Sequence, residues 1–95
     1  MRAARAGIGR LASTIFLLAA LAFLVIALAI TIVLLGANPA NAVVRALTAV
    51  ARFLVGPFEG LFTFRDPDVA IAVNWGIAAV VWYALGRLLA RIVAP

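Results

Sequence analysis

Only a few side chains in this 95-residue sequence could carry chemistry. There is no histidine and no cysteine. Imidazole acid/base work, thiol nucleophiles, disulfides and zinc sites built on those ligands are therefore excluded together. Three carboxylates remain: Glu59, Asp66 and Asp68. Asp66 and Asp68 stand two residues apart, a spacing that suits paired carboxylates, but Asp66-Pro67-Asp68 also fits the start of a helix. There Asp66 is the cap, Pro67 takes the first position, and Asp68 sits at the positive end of the dipole. Capping is the preferred reading. Three acids are too few for a hard-metal site unless several chains contribute ligands. No phosphate-cradling glycine motif and no nucleophile elbow occurs, and Gly7-Ile8-Gly9 lacks the preceding strand that would give it meaning. The expectation is no enzyme, no cofactor and no metal.

Glu59 differs from the two aspartates. It lies in Phe58-Glu59-Gly60-Leu61-Phe62-Thr63-Phe64, an aromatic stretch suited to a membrane–water boundary, where a carboxylate needs a partner. Arg52 or Arg65 could pair with it. Alternatively, several copies could assemble Glu59 into a charged ring of the kind that lines cation-selective pores. A second polar group is Asn41, Arg45, Thr48 and Arg52, whose spacings of four, three and four place them on one narrow helical face. Val43, Leu47, Val50 and Leu54 take the opposite side. The stripe could meet lipid headgroups, water, a subunit interface or a partner.

The elements that position these residues are apolar to a degree that soluble domains do not reach. Hydrophobic residues make up 68% of the chain and mean hydropathy is +1.27, against roughly half apolar in globular domains. Lipid must solvate much of such a surface. Leu11–Leu35 contains no charge and exceeds the ~30 Å hydrocarbon core at ~1.5 Å per residue. Ser13, Thr14 and Thr31 can bond back to the preceding turn within it. A cleaved signal peptide, with Ala40-Asn41-Ala42 as its small-x-small site, is disfavoured because the apolar run far exceeds a signal h-region of ~7–15 residues. Val69–Val93 is the second span. The expected fold class is an all-α membrane protein, with two transmembrane helices forming a hairpin joined by an amphipathic interfacial or re-entrant helix. Its parts are a basic cytoplasmic segment 1–10, a first span 11–35, an outer connector 36–68 with its helix at 39–54, and a second span 69–93. Gly36 should end the first helix, with Asn38 capping the connector helix and Pro39 opening it. Gly56-Pro57 should stop it.

Within the second span, Val69, Ala72, Gly76, Ala79, Tyr83, Gly86 and Ala90 recur at alternating spacings of three and four. Small residues at this spacing let membrane helices approach closely. The seam could meet the chain's own first span, a second copy or another membrane protein. Asn74 lies on the opposite side and is expected to hydrogen-bond to a neighbouring helix, whereas Trp75, Trp82 and Tyr83 read as packing or belt residues. The formal net charge is +5, and all eight basic residues are arginine. Arg2, Arg5, Arg10, Arg87 and Arg91 flank the spans, which by the positive-inside bias puts both termini in the cytoplasm of a cell membrane. That distribution is topological and excludes a nucleic-acid footprint. Membrane lipids and a homo-oligomer or membrane-protein partner are the expected partners.

Residues from about Asn38 to Arg91 resemble one repeat of the YggT family of small bacterial membrane proteins. The carriers are Asn38-Pro39-Ala40-Asn41, an amphipathic helix ending Phe53-Leu54-Val55-Gly56-Pro57-Phe58, and an Asp before the next span. The resemblance implies a helix lying between spans and envelope- or division-linked roles, with cytochrome assembly in chloroplast relatives. The family pairs two repeats, where this chain has one. It also shows a basic pair after the position of Pro57-Phe58 and Ser-Pro after the Asp, both missing here. No catalytic residue carries over. The order of span, short helix, irregular segment and span is also that of two-span pore-loop channels, although the Thr-Val-Gly-Tyr-Gly filter of the potassium type is absent. An ion channel with the connector as pore entry is therefore the alternative function, beside a self-associating or accessory membrane subunit.

Overall fold

The computed structural model describes the backbone of residues 2–94 and the side chains of residues 6–94. Arg2 and Arg5, two of the flanking arginines, have side chains outside that range. The described chain is helical with no strand. Its elements are α1 (Arg2–Leu34), α2 (Ala42–Val55), a single 3-10 turn (Gly56–Phe58) and α3 (Pro67–Val93). Segment 2–10, expected as a separate basic lead-in, forms the first turns of α1. Alanine and arginine are strong helix formers, and Gly7 and Gly9 weaken the helix without ending it.

The helix ends follow local chemistry. α1 stops at Gly36, whose φ of 75° suits a residue without Cβ. Ala37 N–H bonds to the Ile32 carbonyl at 2.9 Å and Gly36 N–H to Val33 at 3.0 Å, the paired bonds of a Schellman motif. The α2 cap differs from the expectation. Asn38 Oδ1 accepts from Ala40 N–H at 3.0 Å and forms a tight turn. Asn41 is the residue that caps α2, its Oδ1 accepting from Val43 N–H at 2.9 Å and Val44 N–H at 3.3 Å. The helix thus begins at Ala42, not Pro39, because two asparagines compete for one cap and the nearer one wins. After the 3-10 turn, Gly60 (φ 80°) and a Leu61 N–H bond to the Phe58 carbonyl reverse the chain. α3 opens as expected: Asp66 Oδ1 accepts from Asp68 N–H at 2.9 Å and Pro67 sits in the first turn.

α1 and α3 pack antiparallel. Gly86 lies against Ala19, and Tyr83 rests between Phe16 and Phe23, each edge-on with centroids at 5.8 Å. Where α2 joins them, Ile26 and Ala29 meet Trp75, Ala78 and Ala79, and Ala51 and Val55 close the cluster. This small core leaves most large apolar side chains exposed, including Leu17, Leu18, Leu24, Leu28 and Leu88. Two helical stretches, Ala6–Leu34 and Pro67–Val93, are long and apolar enough to cross a membrane.

Candidate functional site

The connector is seated on the long helices well below their ends. Ile26 lies about 12 Å along α1 from Leu34, and Ala78 about 16 Å along α3 from Pro67, at ~1.5 Å per residue. Ala51 and Val55, both fully buried, therefore anchor α2 deep against the pair. Of the apolar side of α2 named from the sequence, Leu54 packs against this buried ridge. Val43 and Val50 stay exposed, and Val50 and Leu54 roof an apolar cavity of about 550 Å³ with Ala22, Trp82, Leu85 and Leu89. Ala51 leaves no mark in the sequence pattern, because a small residue between a polar stripe and large aliphatics adds no contrast. Its size is what lets α2 approach Trp75 and Ala78.

Three side chains of α3 fasten the connector. Trp82 Nε1–H donates to the Leu54 carbonyl at 2.8 Å, satisfying one of the free acceptors at the end of α2. The Arg52 guanidinium lies over the Trp75 ring, 5.6 Å from its centroid, a cation–π arrangement. Asn74, only 4% exposed, uses both ends of its amide on one residue. Its Nδ2 donates to the Phe62 carbonyl at 3.0 Å and its Oδ1 accepts from Phe62 N–H at 3.2 Å. Its partner is the connector backbone, where the sequence predicts a neighbouring helix. The irregular 59–66 segment has backbone groups that no helix satisfies, and that need is the signal that could have identified the partner.

The four-residue stripe divides by task. Asn41 is spent on capping. Thr48 Oγ1–H donates to the carbonyls of its own helix, Val44 at 2.7 Å and Arg45 at 3.2 Å. Arg52 is held over Trp75, and Arg45 is exposed. Glu59 is exposed at the rim of a cleft of about 220 Å³ that it shares with Thr63, Ile71, Asn74 and Trp75. Its backbone N–H bonds to the Val55 and Gly56 carbonyls. Arg52, one of the two arginines the sequence offers it as a partner, lies over the Trp75 indole.

The seam on α3 also divides. Ala79, Tyr83 and Gly86 face α1: Ala79 is buried, Tyr83 sits between two phenylalanines, and a Cβ at Gly86 would overlap Ala19 Cβ. Ala90, half-buried, lines an open cleft with Ser13 and Phe16 of α1. Val69 and Ala72 are exposed, and a Cβ at Gly76 would meet nothing within 4 Å. A straight α-helix drifts ~20° per heptad against a strict seven-residue repeat, so one straight neighbour cannot follow all three heptads. Among the described residues, no three of His, Cys, Asp and Glu gather as a metal-binding group. No protein-family model, curated protein or solved structure matches the chain.

Proposed function

We propose that this is a non-enzymatic integral membrane protein that self-associates or serves as a subunit of a membrane complex. In this reading α1 and α3 form a transmembrane hairpin, α2 dips into the outer leaflet beside it, and both termini lie in the cytoplasm. The cell membrane is its location, and the YggT-like order of elements belongs to the same picture. The Ala51–Val55 anchor, seated well below the ends of both long helices, supports a re-entrant α2, since a helix satisfies its own backbone at that depth.

The observation that carries self-association is the unused half of the seam. Ala79, Tyr83 and Gly86 are engaged with α1, whereas Ala72 and Gly76 present a small-residue surface with nothing upon it. Lipid fills such a notch poorly compared with another helix, and packing is the main attraction between helices in a bilayer. Gly76→Leu should abolish the oligomer in mild detergent while leaving helicity unchanged. An oligomer of unchanged mass would overturn the reading, and co-purification of a different membrane protein would select the accessory role.

A second reading is favoured by the connector itself. α2 ends against the middle of both long helices, then turns through Gly56–Phe58 into an irregular segment with an exposed Glu59. That is the order of a pore-loop, and a ring of such chains would gather Glu59 side chains around an entry. Conductance in planar bilayers that is sensitive to Glu59→Gln supports it, and silence removes it.

A further inference from the structure

At the end of the molecule opposite the connector, α1 and α3 enclose an open cleft of about 470 Å³ that the proposed function leaves unused. It is lined by Ser13 and Phe16 of α1, by Arg87, Ala90 and Arg91 of α3, and by its C-cap Ala94. Arg87 and Arg91 are four residues apart, so their guanidinium groups leave α3 on the same side, one turn apart. Both are exposed. Beyond the Gly86–Ala19 contact, α1 continues for about 25 Å and α3 for about 10 Å. α1 therefore overhangs the cleft by about 15 Å and walls one side of it.

Among the described residues, no acidic side chain lies at this end. The three acids are Glu59, Asp66 and Asp68, and Asp68 is about 28 Å along α3 from Arg87. Arg10, Arg87 and Arg91, with Arg2 and Arg5 earlier in the sequence, belong to the two terminal stretches, which hold no acidic side chain. Cations that border hydrocarbon recruit an anion, and guanidinium groups match phosphate oxygens in paired geometry. The Ser13 hydroxyl is exposed beside them and can donate to the same anion. Phe16, Ala90 and Ala94 make the floor apolar, which suits a ligand whose charged head continues into hydrocarbon.

We infer that this cleft binds the headgroup of an anionic phospholipid from the leaflet at the N-terminal end of α1, with Arg87 and Arg91 on its phosphate and Ser13 as an added donor. The inference rests on the membrane reading and is independent of self-association. The test is native mass spectrometry of the full chain, released from mild detergent containing equal amounts of phosphatidylglycerol and phosphatidylcholine with identical acyl chains. The wild type should retain phosphatidylglycerol preferentially. Arg87→Gln/Arg91→Gln should lower that preference about thirty-fold, as expected for two arginine–headgroup attractions. Arg45→Gln/Arg65→Gln, which removes the same charge from the connector, should keep it. The inference is overturned by a wild type without preference, by a double variant that retains it, or by equal loss in the connector variant. Displacement of the lipid by millimolar glycerol phosphate would also overturn it, since the site would then take a soluble anion. The same spectra report oligomeric mass, so lost assembly with retained lipid refutes self-association alone. A chain that fails to fractionate with membranes refutes the membrane reading itself.

Discussion

Replacing Asn74 with alanine isolates the clamp that holds the irregular part of the connector. Asn74 makes two bonds to Phe62, at 3.0 and 3.2 Å, and its amide is nearly sealed from solvent. A hydrogen bond in a folded protein contributes about 1 kcal/mol net, and side-chain bonds between membrane helices average nearer 0.6. Phe62 is itself exposed, so its freed N–H and C=O can find water. The two bonds together should then be worth about 1–2 kcal/mol, a factor of roughly 5–30 in a local opening equilibrium. Among the described residues, the long helices share no hydrogen bond with Phe62 other than these two and should be unaffected. The assay is hydrogen–deuterium exchange of the 59–66 peptide in nanodiscs, with circular dichroism as a check on helicity. Exchange there should accelerate by the stated factor, and α1 should exchange as before. Asn74→Asp should not rescue it, because an ionised carboxylate accepts from Phe62 N–H but cannot donate to the carbonyl. Unchanged exchange in 59–66, or equal acceleration along α1, would refute the reasoning.

Gly86→Ala should destabilise the α1–α3 pair by about 1–3 kcal/mol, because the new methyl overlaps Ala19 Cβ and the helices must part. Adding Ala19→Gly should recover most of the thermal stability in detergent, and failure of that rescue would place the strain elsewhere. Trp82→Phe keeps a ring in place and removes the donor to the Leu54 carbonyl, so the last turn of α2 should open more easily by about 1 kcal/mol, read as faster exchange in residues 52–58. Asn41→Ala should weaken the first turn of α2 by about 1 kcal/mol and Asn38→Ala by less, measured as loss of helicity.

What could be read from the sequence was what depends on neighbours along the chain. An uncharged 25-residue run and a capped apolar helix mark α1 and α3, and Gly36 and Asp66-Pro67-Asp68 mark two of their ends, because caps and left-handed turns are decided within a few residues. The start of α2 was displaced by three residues because Asn38 and Asn41 carry the same capping chemistry and only the folded turn chooses between them. Contacts between elements were much less legible. Spacing places Val69 to Ala90 on one face, but it does not say where a straight neighbour leaves that face, so the division at Gly76 emerges only in three dimensions. Asn74 and Trp82 advertised a need for partners, yet both partners are backbone groups, which carry no residue-type signature. Ala51 carried no signal at all, since its role is to be small.

Self-association through the outward half of the α3 seam is tested most directly by oxidative cross-linking of single cysteines in native membranes, which is clean because the chain has none of its own. Ala72→Cys and Gly76→Cys should give disulfide-linked dimers on mild oxidation. Leu88→Cys, exposed on α3 but off the seam, should not. Dimers at Leu88 as readily as at Gly76, or none at Ala72 and Gly76 while the variants reach the membrane folded, would contradict the account.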